Sequence, residues 1–83
     1  MKMNVTVTFD VSVEVDESKF TDDFMQNFKR YFYELDTIDE HAEHLAQLET
    51  RGLIDDNFVE GYGDLSEMGI KIKVNDIISE IEE

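Results

Sequence analysis

The chain has no cysteine, so it can form neither a disulfide framework nor a thiolate metal site, a composition that suits a reducing compartment. It also lacks proline, internal repeats and any low-complexity linker. Nothing in its 83 residues marks a boundary, so one domain over 1–83 is expected. A single core of that size leaves a thin stability margin. No apolar run approaches the roughly 20 residues of a bilayer span. The opening MKMNVTVTFD alternates polar and apolar residues. A secretion signal needs a continuous apolar stretch, so a cytoplasmic location is expected.

Positive charge is the scarcest chemistry. Seven Lys and Arg stand against 21 Asp and Glu, for a formal net charge of -14. Such a balance with few aromatics would read as disorder. Here nine residues are aromatic and 41% are hydrophobic, in clear periodicities, which reads as a folded acidic domain. The excess charge repels itself on compaction and disfavours nucleic acid and anionic lipid as ligands. A basic protein surface is the natural complement.

Residues 5–15, VTVTFDVSVEV, alternate without a break. Val5, Val7, Phe9, Val11, Val13 and Val15 share one side, the pattern of a long strand with one buried face. Thr21 is a suitable N-cap, followed by Asp22 and Asp23 where a helix start favours negative charge. Phe24, Phe28, Phe32 and Leu35 then recur at helical spacing, so a first helix is expected over 21–34. The aromatics Phe20, Phe24, Phe28, Tyr31, Phe32 and Tyr33 are expected in the core or at its edge. Base stacking would need more cations than Lys29 and Arg30 supply.

Thr37 and Glu40 fit a capping box, and Gly52 after Arg51 fits a left-handed stop with Leu53 closing it. A second helix is expected over 38–51, with Ile38, His41, Ala42, Leu45 and Leu48 on one face. NFVEGYG reads as a short strand interrupted by Gly61 and Gly63, and DLSEMG as a loop or single turn. Ile70, Ile72 and Val74 alternate with Lys71 and Lys73 in a second clear strand. Ile77, Ile78 and Ile81 extend it past a phase change at Asn75-Asp76, which fits a bulge. A C-terminal helix in NDIISEIEE is the competing reading. The expected fold is α+β in two layers, ordered strand-helix-helix-strand-strand. Two long strands pair antiparallel with a short third strand, and two helices cover the valine face.

No motif for chemistry survives inspection. His41 and His44 are three apart, whereas zinc proteases space them four apart beside a glutamate. Glu40 and His44 would need a further ligand from elsewhere. The expected roles are a core-facing His41 and a solvated His44, each held by a nearby carboxylate. The segment DDNFVEGYGD fails the EF-hand register from either Asp55 or Asp56. There is no nucleophile elbow or phosphate-cradling loop, and GYG at 61–63 fits a turn. No enzyme activity, metal or other cofactor is expected.

Charge distribution is the remaining signal. Residues 34–67 hold eleven acidic residues and one basic residue, Arg51. A merely soluble surface intersperses both signs. Carboxylates four apart on a helix lie about 5–6 Å apart at Cβ. Those two apart on a strand, such as Glu14 and Asp16, lie roughly 6.6 Å apart. Both intervals resemble the spacing of phosphates along one strand of nucleic acid. A groove that reads phosphates with Arg and Lys would therefore accept such a surface. The electrostatic contacts expected are Asp36, Asp39, Glu40, Glu43, Asp55, Asp56, Glu60, Asp64 and Glu67. Rim charges set on-rate more than affinity, so Phe58 and Tyr62 are candidate hydrophobic anchors. The plainer alternative is that the acids only confer solubility.

The stretches YELDTIDEHAEHLAQLETRGLIDD and FVEGYGDLSEMGIKIKV resemble a group of short phage and prophage proteins of mostly unassigned role. That group shares a leading strand, a segment like HAEHLAQL followed by RG, and GYG…MGIK before the last strand. The likeness spans nearly the whole chain and rests on short segments rather than catalytic motifs. Several small acidic phage proteins act as anti-CRISPRs, some by occupying the DNA-binding surface of the host interference complex. The resemblance implies a non-enzymatic inhibitor, a DNA mimic whose partner is a basic host complex such as a type I CRISPR effector. Neither nucleic acid nor membrane would be a direct partner, and the chain would be a monomer or weak dimer. A separate reading makes it a homo-oligomeric accessory or structural phage protein whose long strand edge pairs between copies. A weaker third reading is a metal-dependent domain around His41 and His44.

Overall fold

The computed structural model describes residues 1–82. The alternating valines form β1, Asn4–Glu14, which pairs antiparallel with β4, Lys71–Glu82. Residues opposite one another in such a pair share a face. One face therefore carries Val5 with Ile81, Val7 with Ser79, Phe9 with Ile77, Val11 with Val74, and Val13 with Ile72. The register shifts between Asp10 and Val11, leaving Asn75 as the extra residue of β4. Its side-chain amide donates to Ser12 Oγ at 2.6 Å. This bulge returns Ile77 and Ile81 to the face of Ile72 and Val74 after the change of phase. The C-terminal segment is thus strand through Glu82 rather than helix, and Glu83 lies outside the described residues.

After a 3-10 turn at Glu17–Lys19, helix α1 covers Asp22–Tyr31 and α2 covers Ile38–Thr50. Thr21 Oγ1 caps α1 by accepting from Phe24 N–H at 3.2 Å. Thr37 Oγ1 caps α2 by accepting from Glu40 N–H at 3.2 Å. Glu40 Oε1 reaches back to Asp36 N–H at 3.3 Å. The far end of α2 closes as a Schellman motif: Leu53 N–H donates to Leu48 C=O and Gly52 N–H to Glu49 C=O, with Gly52 at φ +67°. The first helix is shorter than its aromatic spacing predicts. Phe32 leaves the helical region at φ -125°, ψ -86°. Tyr31, Phe32 and Tyr33 are exposed rather than core.

The segment from α2 to β4 contains a minimal pair, β2 at Phe58–Val59 and β3 at Gly63–Asp64. The short strand thus pairs in its own hairpin and does not join the long strands. The core comprises Phe20, Phe28, Leu45, Tyr62, Leu65 and Ile70 around His41, with Val13, Val15 and Ile72 packed against it.

The helices cover the valine face only at its inner end. Val5, Val7, Phe9, Ile77 and Ile81 remain 40–61% exposed. The outer half of the ribbon, residues 4–10 with 76–82, projects as an arm of roughly 20 Å. The molecule measures 51 × 22 × 21 Å. Its radius of gyration is 15.2 Å, against about 12 Å for a compact chain of this length.

Candidate protein-binding surface

His41 lies on the inner side of α2 with no exposed surface. Its ring meets Phe28 edge-on at 4.7 Å, Phe20 at 5.4 Å and Tyr62 at 5.5 Å between centroids. Its Nδ1 is 2.6 Å from the Tyr62 hydroxyl. His41 is therefore held by a phenol rather than a carboxylate. A neutral partner fits, since a carboxylate buried there would be desolvated without a matching cation. Burial lowers the proton affinity of His41, the charge of His44 lowers it further, and Glu40 opposes both. Burial also raises the Tyr62 pKa.

This pair fixes where the loop can go. Tyr62 is 5% exposed, so it is not available as a surface anchor. Gly61 lets the backbone approach: a Cβ there would lie 2.6 Å from Phe28 Cε2, and φ is +97°. Phe58, the other anchor candidate, is exposed.

The nine acidic candidates divide by what they touch. Asp36 binds Lys29 Nζ at 2.6 Å and raises the pKa of that lysine, chiefly through the hydrogen bond. Glu40 completes the cap of α2. Asp64 Oδ1 accepts from Ser66 N–H at 2.8 Å and Glu67 N–H at 3.3 Å, and so shapes the turn before β4. These three carboxylates have local structural work. The other six, Asp39, Glu43, Asp55, Asp56, Glu60 and Glu67, are exposed and form no side-chain hydrogen bond or salt bridge among the described residues.

Asp39 and Glu43 sit one turn apart on the side of α2 opposite His41 and Leu45, where their side chains are neighbours. Asp55 and Asp56 begin a tight turn in which Asp56 and Asn57 take φ +51° and +57°. Asp and Asn tolerate that region better than other side chains. Glu60 and Glu67 follow on the same loop, which Tyr62 fastens to the inner side of α2. The helix pair and the loop acids therefore occupy two flanks of the body rather than one continuous row.

An apolar surface also emerges that residue spacing did not single out. Tyr31, Phe32 and Tyr33 line a groove of about 490 Å³ with Leu48 and Leu53. The Tyr33 ring meets that of His44 at a tilt of 54°, with centroids 4.8 Å apart. Burial, then the charge of Arg51, lowers the pKa of His44.

The described residues contain no group of three or more His, Asp or Glu placed to hold an ion. None of their helices is long and apolar enough to cross a membrane. Exposed carboxylates without partners do have a defined capacity, to accept charge-assisted and bidentate hydrogen bonds from Arg and Lys. Comparison with protein-family models, with curated proteins and with solved structures returns no match.

Proposed function

We propose that this protein is a non-enzymatic, phage-type inhibitor that presents carboxylates in place of DNA phosphates to a basic nucleic-acid-binding groove. The partner that fits the resemblance is a type I CRISPR surveillance complex, whose target DNA would be displaced. One observation carries the reading: six exposed acids between Asp39 and Glu67 have no salt-bridge partner among the described residues. A surface evolved only for solubility would tolerate lysines among them. Asp39 and Glu43 supply one edge of the contact. Asp55, Asp56, Glu60 and Glu67 supply the other, with Phe58 as the apolar anchor.

The test replaces these six acids by Asn or Gln and measures binding to the purified complex with target DNA as competitor. Affinity falls stepwise with each pair neutralised, and wild-type binding weakens as salt rises. Neutralised protein that binds undiminished, or inhibitor and target DNA bound together, refutes the reading.

A further inference from the structure

We infer that the projecting arm is a dimerisation element, whose apolar face packs on the same face of a second copy of this chain. The face carries Val5, Val7, Phe9, Ile77, Ser79 and Ile81 and no charged side chain, on a molecule of net charge -14. The reverse face of the same arm carries Thr6, Thr8, Asp10, Asp76 and Glu80, with Ile78 as its one large apolar side chain. The asymmetry gives the arm one dry side and one wet side, yet the dry side is open to solvent. An isolated two-stranded ribbon is marginal in water and needs a cover on its apolar side. No element of the described chain supplies one over residues 4–10.

A second copy meets the demands of this strip better than a charged partner. The pairs Val5–Ile81 and Phe9–Ile77 lie symmetrically about Val7–Ser79. A twofold axis across the strands at that middle pair sets Val7 over Val7 and Ser79 over Ser79. Each end pair then covers the opposite end pair of the partner. The small Ser79 at the centre lets the two sheets approach to about 10 Å. The five half-exposed side chains offer on the order of 400 Å² per copy. Met3, exposed and next in the same alternation, brings the pair to roughly 1,000 Å², the lower bound for a specific interface. Antiparallel overlap of the arms also sends the acid-rich bodies to opposite ends. They are then separated by well over the ~8 Å Debye length of physiological salt. This inference stands without the proposed function, because it uses a different end of the molecule.

Light scattering on the full chain, over a range of concentration and salt, tests it. The average mass rises towards two chains with concentration, and more readily in 1 M salt, where repulsion is screened. Val7→Lys, at the centre of the face, lowers association at least about tenfold, while Thr8→Lys on the reverse face makes the same charge change and does not. A lysine reduces the net charge, so a loss with Val7→Lys reports lost apolar contact rather than added repulsion. Thermal melts of both variants confirm the intact helical body. In this cysteine-free chain, Ser79→Cys adds a second readout: a short bismaleimide crosslinker, which spans the ~10 Å between sheets that a disulfide does not reach, links two copies through it but not through Glu80→Cys. A single-chain mass at all concentrations and salts overturns the inference. So does equal dimerisation of both lysine variants, open-ended assembly, or a monomer that binds phosphatidylcholine vesicles through the arm.

Discussion

Tyr62→Phe removes one oxygen atom and isolates His41. The hydroxyl lies 2.6 Å from His41 Nδ1, and His41 Nε2 already has no partner among the described residues. The variant therefore leaves both ring nitrogens unpaired at a position without solvent exposure. An unsatisfied buried polar group costs about 1–3 kcal/mol. A domain of 83 residues is stable by roughly 4–12 kcal/mol in total. Each kcal/mol shifts the melting temperature of such a domain by about 4–8 °C, so a mid-range cost of about 2 kcal/mol predicts a fall of roughly 8–16 °C. Calorimetry at pH 7.5 measures it. The double variant His41→Phe/Tyr62→Phe removes both polar partners inside a cage of Phe20, Phe24 and Phe28, so it is more stable than the sum of the single changes predicts. A Tyr62→Phe melt within about 2 °C of wild type, or strict additivity in the cycle, refutes the assignment of His41 and Tyr62 as a coupled buried pair.

The same pair predicts a pH dependence. The folded pKa of His41 is lowered, mainly by burial, so between that value and the unfolded one near 6.5 the unfolded chain binds more protons. The stabilisation is complete above about pH 6.5 and is lost as pH falls below it. Urea melts at pH 7.5 and 5.5 show a drop in wild type that His41→Phe largely removes, and equal slopes in both proteins would refute it. Gly61→Ala places a methyl 2.6 Å from Phe28 Cε2 and costs roughly 2–4 kcal/mol through overpacking and a strained φ. Gly52→Ala meets nothing within 4 Å at φ +67° and costs only the left-handed strain of about 1–2 kcal/mol. Chemical denaturation that ranks the two the other way would show that the loop does not pack tightly on α1.

Much of the fold was legible because periodicity and capping chemistry are local. Eleven alternating residues specify β1, and the phase change at Asn75-Asp76 specifies the bulge. Thr21, Thr37, Glu40 and Gly52 mark helix ends through hydrogen bonds that span four residues or fewer. What local pattern cannot show is which surface covers which. The valine alternation shows that one face of β1 is apolar, but not that the helices stop at Val11. The spacing of Phe24, Phe28 and Phe32 reads as one continuing helix, yet α1 ends at Tyr31 with Phe32 outside the helical region. Tyr62 stands between two glycines with no period to assign its side, so its burial follows from contact with a histidine 21 residues away. Of the acidic candidates, Glu40 was legible as half of a capping box, whereas Asp36 and Asp64 were recognisable as charge but not as local braces. That distinction depends on the turns they close.

The two ends of the molecule answer to opposite physics. On the arm, five apolar side chains about half exposed forgo roughly 4–7 kcal/mol of burial per copy. Two copies therefore gain roughly 8–14 kcal/mol by meeting, against an association cost of about 4–15 kcal/mol. These are of the same order, so self-association depends on concentration and on how far like charges repel. On the body, six exposed carboxylates gain only from a cationic surface, and that gain shrinks as salt screens it. Raising salt therefore strengthens contact between copies and weakens contact with a basic partner. If both associations fell together with salt, the arm would be acting through charge, although its apolar face carries none.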